Sequence, residues 1–318
     1  MRCVNITKYI ALLLGGILFL CCGEYKKHTV SESIREEAKI KLQYALENSS
    51  KWEKVHAAEY ILNLDYSNNV YDLFLEEEKQ NRNEPYYRIG VWRVLNQAAI
   101  SLEEKTQWLD SISRVYKGYS SLDRIHAAES LAKLRVSPYT ISTDITDSIL
   151  GGDHNPMWAY TYWGTAYTSE KDMDLVINNL LEIILQSKET VLIKKIALYA
   201  LLKMKNLSVD NWDLLISKTL NEPKSSPLYT SLLTCTLANT PKDSLMSSRV
   251  IKCREKLRRQ IDSLDNDEIY SLLAVYEDIA TEEDLSFLIA KMNKGNDLGN
   301  TENVMAAANA ILKIDKKR

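Results

Sequence analysis

Two stretches of this 318-residue chain place a histidine and a glutamate three residues apart. His56 and Glu59 form the first pair, and His126 and Glu129 form the second pair 70 residues later. Residues three apart share one face of an α-helix, so each pair would present an imidazole and a carboxylate together. Because zinc is bound by these side-chain types, the four residues form a candidate metal site.

The distance between the pairs argues against that metal site. If each pair stands on a helix of a repeated unit, two units separate them, and packed helices lie about 8–10 Å apart. The two histidines would then be roughly 20 Å apart, whereas zinc ligands must lie about 2 Å from one ion. Each pair alone offers too few ligands. The sequence therefore predicts neither a metal site nor another cofactor.

The helices that carry these pairs belong to an internal repeat. The phrase around Ala57 returns seven more times, ending around Ala307, which gives about 36 residues per step. A recurrence at this period is typical of a helix–turn–helix unit. The copies start near Val55, Arg88, Ile125, Met157, Ile196, Leu228, Ile269 and Met305.

The pattern within the first copy predicts an amphipathic helix. Ala57, Ala58, Ile61 and Leu64 form one apolar stripe with a helical period. The two alanines allow a neighbouring helix to approach closely, as stacked repeats require. A second amphipathic segment follows each phrase, and turn residues separate the copies. We expect an all-α body over residues 34–318 with about eight helical hairpins.

These phrases resemble the HEAT-like repeat family, including the short subtype of phycobilisome-lyase proteins. The basic residue that usually precedes the alanine pair is present as Lys54, Arg124 and Lys194. The resemblance implies a right-handed α-α superhelix of the HEAT/armadillo type that acts as a binding surface, and the family has no common catalytic residue. The His-Ala-Ala-Glu wording departs from the more usual Ala-Ala-Ala-Glu and marks the first candidate for a specific role.

Two interpretations of the histidine pairs remain open. In one, aligned copies form a ligand-facing ridge whose rows are His56, Ile89 and His126, then Glu59, Trp92 and Glu129, then Asn63, Asn96 and Lys133. In the other, which we favour, each histidine bridges a neighbouring repeat through hydrogen bonds. A functional ridge would lie on the first four hairpins, while the fifth and eighth copies are close to generic scaffold. The ridge candidates also include Arg88, Arg124 and Trp158.

The fourth copy is rich in aromatic residues. Trp158, Tyr160 and Trp163 could form a groove for sugar rings, which stack on flat aromatic faces. The alternative is that these side chains pack the core in place of alanine. Because Trp158 and Trp163 are five residues apart, they cannot face the same way, and we expect at least one in the core.

The N-terminal segment resembles a bacterial lipoprotein signal. A basic start and an uncharged run from Tyr9 to Leu20, too short to span a bilayer, precede Cys21-Cys22-Gly23. The resemblance implies a signal peptide over residues 1–22, a lipid on Cys22 (diacylglycerol and palmitate), and a tether over residues 23–33. It also implies an outer-membrane location, as in lipoproteins of Bacteroidetes-type bacteria.

Two later cysteines, Cys235 and Cys253, are separated by 18 positions. In an oxidising compartment they could form a disulfide, or they could be buried and unpaired. Spacing does not distinguish these alternatives.

Charge and motifs narrow the function. The net charge of −3 argues against nucleic-acid binding, and the sequence shows no nucleophile elbow, His-Glu-x-x-His or phosphate loop. We therefore predict a non-catalytic lipoprotein whose open solenoid binds a protein or glycan. The alternative is an α/α-toroid lyase or hydrolase acting on polysaccharide through an aromatic and acidic cleft. A toroid would bring the first and last hairpins into contact, whereas an open solenoid would keep them apart.

Overall fold

The computed structural model describes residues 30–66, 69–185, 188–263, 268–297 and 300–316. Within these ranges the chain is helical and has no β-strand, which confirms the all-α prediction. The proposed signal peptide and Cys22 lie outside the described residues, as does most of the proposed tether. The first helix begins at Glu32, where Ser31 is the N-cap and its Oγ accepts a hydrogen bond from the Ile34 amide.

The helices pair in sequence as hairpins. In chain order the pairs are α1 (Glu32–Asn48) with α2 (Lys51–Asn63), α3 (Val70–Asn81) with α4 (Tyr87–Ala98), α5 (Leu102–Lys117) with α6 (Arg124–Lys133), α7 (Thr143–Leu150) with α8 (Pro156–Thr165), α9 (Glu170–Leu185) with α10 (Val191–Met204), α11 (Val209–Asn221) with α12 (Tyr229–Ala238), α13 (Ser248–Ser263) with α14 (Glu268–Ala274) and the short α15 (Tyr276–Ile279), and α16 (Leu285–Asp297) with α17 (Thr301–Lys316). We call the first helix of each hairpin outer and the later ones inner.

The alanine pairs lie where the repeat pattern predicts close packing. Ala57 and Ala58 on α2 and Ala127 and Ala128 on α6 are buried. Each inner helix contacts the inner helices on either side, so that α2, α4, α6, α8, α10, α12, α14–α15 and α17 follow one another. Small side chains at these contacts let the inner helices approach closely.

The two ends of the repeat meet. Helix α17 packs against α1 and α2, and Arg35 on α1 forms two hydrogen bonds with Asp315 on α17, Nε to Oδ2 at 2.7 Å and Nη2 to Oδ1 at 3.0 Å. Near this junction, Lys316 lies 2.7 Å from Asp65. The expectation of an open solenoid with separated ends is therefore wrong for this chain, because the inner helices close into a ring.

Closure depends on the angle between successive hairpins. Some inner helices contribute alanines to the packed layer, including three consecutive ones starting at Ala306, but the inner helix α8 also buries Trp158 and Trp163. Residue size therefore does not divide the two layers into a small inner one and a large outer one. The alanine phrase predicts that neighbouring inner helices pack closely. It does not predict the angle between successive hairpins, and the sum of those angles decides whether the last hairpin meets the first.

The two later cysteines are buried in this fold. Cys235 on α12 and Cys253 on α13 are free thiols. Burial raises the pKa of Cys253 to about 11 and raises that of Cys235 as well, so both remain protonated at neutral pH. The structure therefore has the unpaired alternative and no disulfide between them.

Candidate binding cavity

The inner helices enclose a central cavity of about 400 Å³. Seven inner helices contribute to its wall, from α2 at one side to α15 at the other. The wall combines charged groups, hydroxyls and aromatic rings with a few aliphatic side chains. Its main polar members are His56, Glu59, Gln97, Lys133, Lys195, Tyr199, Lys203, Thr230, Ser231, Tyr270, Glu277 and Asp278.

A ladder of paired charges crosses the wall from α2 to α6. Arg93 on α4 is buried, and its guanidinium donates to Glu59 on α2 at 2.6 Å and to the Ser130 hydroxyl on α6 at 2.9 Å. On α6, Lys133 lies 2.8 Å from Glu129. The ladder therefore ties three successive inner helices together, and its members Glu59 and Lys133 line the cavity.

The ladder keeps its carboxylates ionised despite their burial. Burial alone would raise the pKa of Glu59, but Arg93 and Lys133 outweigh it and hold that pKa at about 2. The pKa of Glu129 is also lowered, because Lys133 and Arg93 together overcome the effect of burial. Both glutamates are therefore charged and neutralised by cations at neutral pH.

A second charge cluster lies around α15. Lys205 lies 2.5 Å from Asp278 and 3.6 Å from Glu277, and Asn309 on α17 donates to Glu277 at 3.0 Å. Burial raises the pKa of Asp278 above its ordinary value, although the Lys205 ammonium acts in the opposite direction. The cluster therefore holds a carboxyl group that takes up a proton more readily than a solvated aspartate.

Tyr199 on α10 lies between two cavity lysines. The ammonium groups of Lys133 and Lys203 lie 5.5 and 5.7 Å from its ring centre, within the range of cation–π attraction. Burial raises the pKa of the Tyr199 hydroxyl, so it remains a neutral hydrogen-bonding group. The fifth repeat, which was expected to be plain scaffold, thus supplies an aromatic ring to the cavity wall.

His56 bridges the first and last hairpins. Its Nδ1 lies 2.8 Å from Glu302 on α17, and its ring stacks on Tyr270, with centroids 5.2 Å apart and planes 19° apart. The Tyr60 hydroxyl donates to the Tyr270 hydroxyl at 3.2 Å. The geometry of His56 thus matches the interpretation in which a histidine bridges a neighbouring repeat.

His126 has different surroundings. Its Nδ1 is 3.8 Å from Glu129, too far for a hydrogen bond, and no hydrogen bond to its ring is found within the part of the chain that the structure describes. Instead, the ring lies between Trp52 and Tyr86, with centroid distances of 5.8 and 5.2 Å. Burial lowers the pKa of His126, which favours the neutral imidazole.

The predicted alignment of the second copy has the wrong register. Ile89 is fully buried in the core, and Trp92 is also buried, while Arg93 and Gln97 are the α4 residues that belong to the ladder and cavity. The spacing from Glu59 to Arg93 is two residues shorter than that from Arg93 to Glu129. The predicted row paired Glu59 with Trp92, one residue before Arg93, and this one-residue error selected the wrong face of α4.

Arg88 and Trp92 lie together in another cleft. Arg88 binds Asp123 through Nε at 2.6 Å and Nη2 at 3.1 Å, and its guanidinium carbon lies 5.4 Å from the centre of the Trp92 ring. This cleft of about 350 Å³ also involves Ser111 and Arg114. The structure therefore separates these two candidates from the central cavity.

Arg124 is held by the end of α5 and by the loop that follows it. Its Nε donates to the Tyr116 carbonyl at 2.7 Å, and its guanidinium carbon lies 4.7 Å from the centre of the Tyr119 ring. These contacts fix the start of α6. They do not bring Arg124 into the wall of the cavity.

The aromatic residues of the fourth copy divide among different surroundings. Trp163 is fully buried, and Trp158 is buried with its indole N–H donating to the Leu150 carbonyl. His154 and Tyr162 stack on either side of Trp158, at 3.9 and 4.9 Å. Tyr160 is half-buried close to Glu129, whose charge together with burial raises the tyrosine's pKa. Both tryptophans are therefore packed, and Tyr160 is the residue of this copy nearest the ladder.

Several cavity residues were not singled out from the sequence. Arg93 interrupts the apolar run Ile89 to Leu95, and an arginine in such a run signals a buried charge partner. Tyr199 similarly interrupts a run of alanine and leucine. Tyr270 and Asp278 belong to a degenerate copy in which no local pattern marks them.

Comparison of the chain with protein-family models, curated proteins and solved structures finds no match. Among the described residues, no group of three or more histidine, cysteine, aspartate or glutamate side chains is arranged to hold a metal ion. A search of the same residues for a helix with the length and hydropathy of a membrane span finds none.

Proposed function

We propose that this protein is an envelope lipoprotein whose ring of helical hairpins binds a neutral, polyhydroxylated ligand, a sugar, in its central cavity. In this proposal the fold is a closed variant of the right-handed HEAT-like superhelix, and Cys22 carries the lipid that anchors it to the outer membrane. The observation that carries the binding proposal is the central cavity, which is enclosed by inner helices and lined with paired charges, hydroxyls and aromatic rings.

The pairing of charges in the wall favours an uncharged ligand. Glu59 is neutralised by Arg93 and Glu129 by Lys133, while Lys205 lies between Glu277 and Asp278. In the lining itself the formal charges balance, with Glu59, Glu277 and Asp278 against Lys133, Lys195 and Lys203, so the wall has no net charge that would select a strongly charged ligand. A neutral ligand can instead accept from and donate to the outer edges of the pairs.

Hydroxyls and rings in the same wall suit a sugar. Thr230 and Ser231 offer hydroxyls at the start of α12. Tyr199 and Tyr270 add aromatic rings, each with part of its surface already in contact with Lys133 and Lys203 or with His56. Sugar C–H faces pack on aromatic rings while sugar hydroxyls bind polar groups. A cavity of about 400 Å³ lies within the range of small-molecule sites.

The position of α1 is consistent with an anchored ring. Arg35, near the start of α1, contacts Asp315, near the end of α17. A lipid tether leading into α1 would therefore approach the face at which inner helices end. Inner helices begin at the opposite face, which carries Tyr86 and His126 and would point away from the membrane.

Binding is tested with four soluble series of neutral oligosaccharides, the cello-, xylo-, manno- and malto-series, each from one to six units. Calorimetry should detect binding by the wild-type protein and loss of that binding in Ser231→Tyr, in which the new side chain fills the cavity from α12. Ser217→Tyr is the matched control, since Ser217 is exposed on the outer helix α11. Absence of wild-type binding to every series, or equal binding by both variants, would contradict the proposal.

The anchor is tested separately. Cys22→Ser should release the protein from membranes or leave the precursor uncleaved, as judged by fractionation and mass spectrometry of the mature N-terminus. Unchanged membrane association without a lipid on the mature peptide would disprove the lipoprotein assignment and leave the binding proposal intact.

A second candidate is the α/α-toroid polysaccharide lyase or hydrolase, which the contact between the first and last hairpins and the raised pKa of Asp278 favour. A carboxyl group with a raised pKa beside a sugar-sized cavity is a candidate general acid. Incubation with the same oligosaccharide series should then release new chain ends, and Asp278→Asn should abolish that release while retaining binding. If the wild-type protein binds a series without cleaving it, the enzyme is excluded for that series and the binding-protein proposal is favoured.

A further inference from the structure

Three rings from three successive inner helices cluster at the face where those helices begin. Trp52 belongs to the first turn of α2, Tyr86 precedes α4, and His126 lies in the first turn of α6. Tyr86 is 44% exposed, and the His126 side chain is 37% exposed. Trp52 and Tyr86 flank His126 at 5.8 and 5.2 Å. We call these three residues the rim cluster.

The backbone and the packing hold the rim cluster in place. Tyr86 has φ 68° and ψ −59°, a region that a bulky residue rarely adopts. Residues held in such conformations persist where the surroundings fix them and are frequent at binding sites. Gly90 provides space for Trp52, since a Cβ atom there would lie 2.8 Å from Trp52 Cζ3. Trp52 also meets Tyr87 edge-on at 6.2 Å.

Helix α6 links the rim cluster to the cavity. His126 lies one turn before Glu129 on α6, and Glu129 is paired with Lys133, which lines the cavity. The ring nitrogens of His126 can therefore bind a ligand that also reaches the ladder. An imidazole in its neutral form offers both a donor and an acceptor, as a sugar hydroxyl requires.

We infer that the rim cluster is an outer subsite for a pyranose ring, so that the ligand is a neutral oligosaccharide extending from the central cavity to this rim. One sugar unit would stack on the exposed aromatic surface of Tyr86 and Trp52, and its hydroxyls would bind His126. The inference rests on the proposed sugar-binding function and adds a length requirement to it. A single sugar would occupy the cavity without using the rim.

The test uses Tyr86→Gly, with Tyr86→Phe and Tyr44→Ala as controls. Glycine adopts positive φ readily, so Tyr86→Gly should keep or raise the melting temperature while removing the ring. Tyr86→Phe retains the ring. Tyr44 is an exposed tyrosine on the outer helix α1 and is not part of the rim cluster, and alanine replaces it because glycine within a helix is destabilising.

Affinities are measured by calorimetry for the members of one to six sugar units in the oligosaccharide series that the wild-type protein binds. Tyr86→Gly should weaken binding of the longer oligosaccharides roughly five- to tenfold, a loss typical of one aromatic contact, and leave the shortest bound ligand unchanged. Tyr86→Phe and Tyr44→Ala should bind like the wild type.

The outcomes separate the inference from the proposed function. If the wild-type protein binds an oligosaccharide series and Tyr86→Gly binds every length with the wild-type affinity, the rim subsite is wrong and the cavity proposal stands. An equal loss of affinity at all lengths would likewise exclude a subsite for the outer sugar units. If the wild-type protein binds none of the series, both the inference and the proposed function fail.

Discussion

Arg93 shows how a single buried cation organises the cavity wall. Its guanidinium is bound to Glu59 and Ser130, and the charges of Glu59 and Glu129 raise its pKa against the opposing effect of burial. Because hydrogen bonds and opposite charges surround it, Arg93 links α2, α4 and α6 at little net electrostatic cost. Removing the cation would leave its carboxylate partners without compensation.

Arg93→Met is therefore expected to lower the free energy of unfolding by about 3–5 kcal/mol, the usual range when one partner of a buried ion pair is lost. Urea denaturation monitored by circular dichroism measures the change. Arg259→Met is the control, because the Arg259 side chain is 80% exposed and its loss should change stability by less than about 0.5 kcal/mol. Equal stability of the two variants would show that the ladder is not a structural element.

Acid should destabilise the protein through the same ladder. The pKa of Glu59 is about 2 in the folded state, against its ordinary value of 4.5 in the unfolded chain. The stabilisation that ionised Glu59 contributes is therefore fully present above about pH 4.5. That contribution is lost as the pH falls from 4.5 towards 2, because the unfolded state then binds more protons. The melting temperature should drop steeply in this window. Glu59→Gln should make the fall of the melting temperature with pH less steep. An equally steep fall in Glu59→Gln would show that Glu59 is not the group responsible.

His126 and Trp92 allow a residue-scale comparison of binding with packing. Trp92 is buried, so Trp92→Ala should cost about 3–5 kcal/mol of stability. His126 is more exposed and makes no hydrogen bond among the described residues, so His126→Ala should change the melting temperature little. Thermal unfolding of the two variants measures both effects. A large loss of stability in His126→Ala would show that the ring is a packing element and would argue against the rim subsite.

At the scale of elements, helix faces could be predicted where a phrase is complete. The phrases of α2 and α6 placed His56 with Glu59 and His126 with Glu129 on one face each. His56 and Glu59 line the cavity, and Glu129 is paired with Lys133, which also lines it. The face of α4 could not be predicted, since its copy lacks the alanine pair and its repeat spacing differs. A one-residue change from Trp92 to Arg93 rotates the selected face by about 100°.

Helix α17 is the element that closes the ring. Its buried face includes Met305, Ala307 and Ile311, and it packs against α1 and α2 as well as α14 to α16. Removal of residues 300–318 should expose these surfaces and produce a large drop in melting temperature with increased binding of a hydrophobic dye. A truncated protein with wild-type stability would instead show that α17 is a dispensable cap.

At the scale of the whole molecule, closure could not be predicted from local pattern. The repeat length and the alanine positions specify that hairpins stack, whereas the contact between Arg35 and Asp315 joins residues 280 positions apart. The angle between neighbouring hairpins depends on the sizes of all side chains in each layer. A small change per step decides whether eight such steps meet or remain open.

Ring closure is the central claim, since the cavity exists only if the first and last hairpins meet. Spin labels on cysteines introduced at Glu32 and Lys316, at the start of α1 and the end of α17, report their separation by pulsed electron resonance. Packed helices lie about 8–10 Å apart, so a single population near roughly 15–30 Å is expected once label length is included. A broad or absent signal, corresponding to ends on the order of 50 Å or more apart as in an open stack, would contradict the closed ring and the cavity with it.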